Sequence, residues 1–173
     1  MQIFPAFART AIALPLGVLS CSSPPGEGSN SAPSSTVSFQ KNVLPVFIAS
    51  CAFDGCHNVP SGQPLAFLGE REDDAGTQDF ERQVYLGIVG KPAVETVSMP
   101  LVTRGDPSKS FLMHKMDGEL ASLGGQCAAN NPLQQQYQTA SACGSSMPFR
   151  LPLLAPSGRD IVRLWIQQGA PDN

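Results

Sequence analysis

Apolar positions along the chain recur at helical spacing in four stretches, separated by long segments without pattern. Residues 37–50 (VSFQKNVLPVFIAS) set Phe39, Val43, Val46 or Phe47, and Ser50 on one face, which predicts a short amphipathic helix running into Cys51. Pro45 belongs in a first turn, so the regular helix is expected to start near Asn42 with a loose turn ahead of it. Residues 79–89 repeat the stripe at Phe80, Val84 and Ile88 with Tyr85 beside it, and Gly90 and Pro92 stop the helix. Asp106-Pro107 is an N-cap acid followed by a proline at the first helical position, opening a third helix over 108–116. Ser157-Gly158-Arg159-Asp160 reads as a capping box for a last helix over 160–168, with Ile161, Val162, Leu164, Trp165 and Ile166 on its apolar side and Gly169 and Pro171 after it. Residues 58–77 and 118–156 are rich in Gly, Pro and polar side chains and read as loops. With no β-alternation and no internal repeat, the expected class is all-α, with about four short helices and long loops.

The first apolar run has a different character. Arg9 precedes the run 11–19, which is too short to span a bilayer and suits a signal peptide over residues 1–20. It ends in Val18-Leu19-Ser20-Cys21, which resembles the lipobox of bacterial lipoproteins, and the resemblance implies lipidation of Cys21 and anchoring to a membrane on the extracytoplasmic, periplasmic side. Ser22 after that cysteine points to the outer rather than the inner membrane. Residues 22–36 (SSPPGEGSNSAPSST) make a Ser/Pro/Gly tether, so 21–36 is read as anchor and flexible linker and 37–173 as one domain.

Composition narrows the classes. A formal charge of −3 and the absence of clustered Lys and Arg argue against nucleic acid as a partner. With 16 Gly, 16 Pro and 14% charged residues, the domain is expected to be short of helix and to need a cofactor or cross-links for stability. Export means that thiols should be paired or chemically occupied. If Cys21 carries lipid and Cys51 with Cys56 form one functional pair, Cys127 and Cys143 remain for a disulfide, contributing roughly 3 kcal/mol on the chain-entropy model.

The segment Cys51-Ala52-Phe53-Asp54-Gly55-Cys56-His57 carries the candidate chemistry. Two thiols followed at once by an imidazole resemble the haem-attachment motif of c-type cytochromes, in which the thiols form thioethers to the porphyrin and the histidine ligates the iron. Four residues separate the cysteines here rather than the usual two, so the extra residues must loop outward, and Gly55 offers the backbone freedom for it. The likeness extends from Phe39 to Asp172: an apolar helix ending in the motif, Gly105-Asp106-Pro107 with a serine at 110 and a short helix, then Met147-Pro148, Trp165-Ile166 and Gly169-Ala170. In this order they are similar to the small mono-haem cytochrome c domains of exported bacterial proteins.

That resemblance implies a cytochrome c-like fold with Phe47 and Trp165 in its core, one covalent haem c on Cys51 and Cys56, and His57 as proximal ligand. It also implies a methionine as distal ligand. Met113 and Met116 sit at helical spacing and read as core, whereas Met99 and Met147 each precede proline in a loop. The family places this ligand before the last helix, which favours Met147. His114, within the third predicted helix, reads as structural, and Arg104 and Arg150 as solvated cations rather than propionate partners. The implied activity is electron transfer with redox partner proteins rather than enzymatic turnover. Two other classes stay open: a haem-free binding or structural module with a Cys51–Cys56 disulfide, and a haem enzyme or sensor with an open sixth position. Zinc on Cys51, Cys56 and His57 lacks a nominated fourth ligand.

Overall fold

The computed structural model describes residues 35–59, 65–69, 79–129, 131–139 and 141–173. The expected signal peptide over 1–20, Cys21 and the expected tether up to residue 34 lie outside the described residues. The unit Ser35–Asn173 is helical, and its described residues contain isolated β-bridges but no strand. Five α-helices occur among the described residues, joined by turns and long loops. No described helix is long and apolar enough to cross a membrane.

A π-type turn over Phe39–Val43 precedes α1, Leu44–Ser50, with Pro45 in its first turn, as the proline demands. The next helix, α2, spans Phe80–Ile88 and buries Val84, Tyr85 and Ile88. Asp106 then caps a 3-10 turn, Pro107–Lys109, its carboxylate accepting from the backbone N–H groups of Ser108 and Lys109. Ser110 leaves the helical region at φ −106 and ψ 111, so the expected third helix divides into this turn and α3, Phe111–Asp117. A 3-10 stretch follows over Leu120–Gln126.

Two expectations are corrected. The stretch 118–156 is not all loop: Pro132–Tyr137 forms α4, opened by Asn131, whose side chain accepts from Leu133 N–H. The last helix, α5, spans Pro156–Gln167 and starts earlier than the capping box requires, with Ala155 at the N-cap and no side-chain cap. Proline at the first position suits a helix start by itself, because its ring fixes φ and it has no N–H to satisfy. Ser157 therefore lies inside the helix, and Asp160 pairs with Arg163 instead of closing a cap.

Helices α1, α2, α3 and α5 surround the main core, in which Phe39, Phe47, Val84, Ile88, Val162, Trp165 and Ile166 are fully buried. Phe39 packs on Trp165 and Tyr85 at centroid distances of 5.3 and 5.4 Å. Both polar aromatic groups are satisfied: Trp165 Nε1 donates to Pro171 O at 3.0 Å and the Tyr85 hydroxyl to Ala170 O at 2.9 Å. Arg104 donates to Gly169 O, Ala170 O and the Tyr85 hydroxyl, so it closes this end of the core. Asp117, at the end of α3, receives Arg159 at 2.8 Å and Arg163 at 2.7 Å and locks α3 to α5.

A smaller cluster stands apart. Ala93, Phe111, Leu120, Leu123 and Cys143 pack together, with Met99 and Cys127 against them. Cys127 and Cys143 form a disulfide with Cα atoms 5.1 Å apart, the pairing expected from the cysteine count. It holds the segment around residue 143 to the end of the 3-10 stretch, and Asn131 adds a second tie by donating to Ala142 O at 2.8 Å.

Candidate functional site

The site begins where α1 ends. Cys51 N–H donates to Phe47 O at 2.7 Å, the last α-helical bond, and the chain then turns on Phe53 to Cys56, whose N–H returns to Phe53 O at 2.9 Å. His57 N–H reaches back to Cys51 O at 3.3 Å. These bonds close the segment on itself, so the two extra residues are absorbed in a tight turn. Gly55 takes φ +74 there, a value that a side chain would strain.

The turn faces a cavity of about 330 Å³, within the range of ligand-sized sites. Cys51, Cys56 and His57 all line it, and both cysteines are unpaired thiols. Burial, reinforced by the neighbouring Cys56, pushes the Cys51 thiol up to about 12, so it stays protonated at neutral pH. His57 Nδ1 donates to Ala66 O at 2.6 Å, which fixes the tautomer and leaves Nε2 with a free lone pair. Burial holds the imidazole below its ordinary pKa. The bond to Ala66 opposes that; the Lys115 charge lowers it further and the Glu95 charge raises it.

Met147 lines the same cavity from a segment distant in sequence. Its N–H donates to Lys115 O at 2.9 Å, hanging the loop on the body of α3. Met99 does not line the cavity; it packs against the smaller cluster, its backbone tied to the Thr96 hydroxyl. Met113 and Met116 are buried in the main core, as their spacing predicts, although Met116 also reaches the cavity wall. His114 lies off this cavity, with Nε2 donating to Ser108 O at 2.9 Å.

Several cavity residues escape sequence reasoning. Tyr137 of α4 and Phe149 form an edge-to-face pair at 6.1 Å and both line the wall, with Arg150 stacked on the Phe149 ring. The apolar wall also holds a buried ion pair, Lys115 Nζ to Glu95 Oε1 at 2.9 Å. The two residues are far apart in sequence and neither sits in a motif, so only the fold reveals the pair. Phe53, Val94 and Leu151 line the cavity and are also exposed. Among the described residues, no cluster of three or more His, Cys, Asp or Glu is arranged to hold a metal ion by itself.

No protein-family model, no curated protein and no solved structure matches the chain.

Proposed function

We propose that the chain is a membrane-tethered electron carrier with a cytochrome c-like fold and one covalent haem c. The observation that carries this reading is the convergence of Cys51, Cys56, His57 and Met147 on one largely apolar cavity, with Met99 outside it. The donor set fits the group. Cys51 and Cys56 offer two thiols for thioether links, His57 offers Nε2 with its other nitrogen already engaged, and Met147 offers a soft thioether. An apolar wall suits a porphyrin face and excludes water from an iron ligand. Bound haem supplies a one-electron iron couple. Around it, the Ala66 carbonyl orients His57, and the Lys115 carbonyl holds the Met147 backbone. The exposed apolar side chains of Phe53, Val94 and Leu151 offer partner redox proteins a contact surface at the cavity. Lipid on Cys21 tethers the domain at the extracytoplasmic face of a bacterial membrane.

The test is an alkaline-pyridine absorbance spectrum of the full chain matured with a cytochrome c assembly system, after acid–acetone extraction of non-covalent haem. A c-type band that stays with the polypeptide is expected, lost when Cys51 and Cys56 are both replaced by Ala. Well-folded protein without the band would falsify the reading and favour the haem-free module. In the loaded protein, Met147→Ala is expected to abolish the methionine–iron charge-transfer absorption, whereas Met99→Ala leaves it in place; the reverse result moves the distal ligand to Met99.

A further inference from the structure

A buried ion pair is a poor stabilising device. Taking two charges from water costs several kcal/mol per ion, and apolar replacements of similar volume are often as stable or more so. Yet Glu95 and Lys115, with side chains 11% and 9% exposed, meet at 2.9 Å on the wall of an otherwise apolar cavity. The ammonium is confined from several sides. It lies 5.2 Å from the Phe111 ring centroid, and the chain at Gly144 passes so close that a Cβ there would stand 2.7 Å from Nζ. Gly144 is three residues before Met147, and the Lys115 carbonyl accepts the Met147 N–H. Lys115 thus holds the Met147 backbone and fixes a positive charge beside that loop, while Glu95 places the compensating negative charge on the same cavity.

We propose that each partner of the Glu95–Lys115 pair biases the reduction potential of the group held by His57 and Met147, with Lys115 raising it and Glu95 lowering it. The inference rests on the haem-carrier reading above. Reduction adds one electron from a donor couple to the iron and makes or breaks no bond, so the charge at the site falls by one. A buried positive charge nearby favours the reduced form and a buried negative charge the oxidised form, and burial keeps both effects from being screened by salt. In the intact pair the two largely cancel. Removing either partner exposes the other.

The experiment is potentiometric titration, with soluble mediators, of the full chain matured with covalent haem, comparing wild type with Glu95→Gln, Lys115→Gln, the double variant and Glu95→Asp. At an ambient potential equal to the wild-type midpoint, the ratio of reduced to oxidised protein is expected to rise about tenfold in Glu95→Gln and to fall about tenfold in Lys115→Gln, each equivalent to about 59 mV for a one-electron couple. The double variant and Glu95→Asp are expected to stay within about twofold of wild type. Should Lys115→Gln not fold, the sign and size of the Glu95→Gln shift alone decide. Single variants that shift in the same direction, or that do not shift beyond about twofold, overturn the proposal. So does a shift that appears only with loss of the methionine–iron charge-transfer absorption, because the pair would then position Met147 rather than tune the couple. A wild-type chain that takes no covalent haem overturns the carrier reading and this inference with it, whereas loaded variants with unmoved potentials overturn this inference alone.

Discussion

The two walls of the cavity are built by different means. The wall of Cys51, Cys56 and His57 is contiguous in sequence, closes through its own backbone hydrogen bonds, and grows from α1, which is seated in the main aromatic core. The wall of Met147 comes from a loop beyond a smaller cluster, held by the Cys127–Cys143 disulfide, by Asn131 and by one backbone bond to Lys115. One wall is positioned by apolar burial and the other by a few discrete ties. Helix packing therefore positions the side that carries two thiols and an imidazole, and cross-links position the side that carries the Met147 thioether.

Substitutions can break that contrast in turn. The largest loss is expected from Trp165→Ala, which empties a fully buried site in contact with Phe39 and Tyr85 and should cost about 3–5 kcal/mol in denaturant unfolding. Since α1 leans on the same core, protection of the Cys51–His57 backbone amides from hydrogen exchange should fall with global stability. An exchange pattern in which only the Met147 loop loosens would contradict the division drawn here. Replacing Cys127 and Cys143 together by Ala should cost roughly 3 kcal/mol through the entropy returned to the unfolded chain. Its local signature should differ: amides around α4 and Met147 should lose more protection than this global cost, whereas those of α1 should lose only the global amount. Equal loosening of both walls would show that the disulfide acts on the unfolded state alone.

Asn131 sharpens the same point on a smaller scale. It is almost completely buried, accepts from Leu133 N–H and donates to Ala142 O, so it starts α4 and ties it to the residue before Cys143. Asn131→Ala should cost about 1–2 kcal/mol, from a lost cap and an unsatisfied carbonyl. The loss should be nearly absent in the disulfide-free background if the two ties act on one segment. A double-mutant cycle measures that coupling, and simple additivity would mean that they act independently.

How much of this was legible in the sequence follows from how local each feature is. The stripes at Phe80–Ile88 and around Trp165 are set by 3.6-residue periodicity, so α2 and most of α5 could be read directly. The Cys-His segment was legible because its chemistry lies within seven residues. Asn131-Pro132 carries the same polar-cap-plus-proline signal as Asp106-Pro107, yet it sits in a polar stretch without an apolar stripe, so periodicity did not point to α4. At α5 the Ser157-x-x-Asp160 pattern pointed to a start that the structure does not use; the helix begins at Pro156 and Asp160 pairs with Arg163. The Glu95–Lys115 pair had no local signature at all, because the two residues come from different segments and meet only through packing around Phe111.

The smallest effect separates charge from hydrogen bonding at Asp106. Its carboxylate accepts from the backbone N–H groups of Ser108 and Lys109 and the hydroxyl of Ser108, with the Lys109 ammonium 3.1 Å away. The Ser108 and Lys109 hydrogen bonds, which favour the ionised form, hold its pKa below the ordinary aspartate value despite slight desolvation. Because the folded pKa is the lower one, the unfolded chain binds this proton more readily. The stabilising contribution is therefore complete above the ordinary aspartate value and is lost as pH falls through the depressed one. Asp106→Asn keeps an oxygen that can cap the 3-10 turn but has no charge to titrate, so its melting temperature near neutral pH should lie only slightly below that of wild type. The gap between the two proteins should close as the pH falls through the depressed value. Asp106→Ala loses the cap as well and should lie below both throughout. If the Asn variant instead tracked the Ala variant at every pH, the Asp106 charge, and not its geometry as an acceptor, would be what starts this turn.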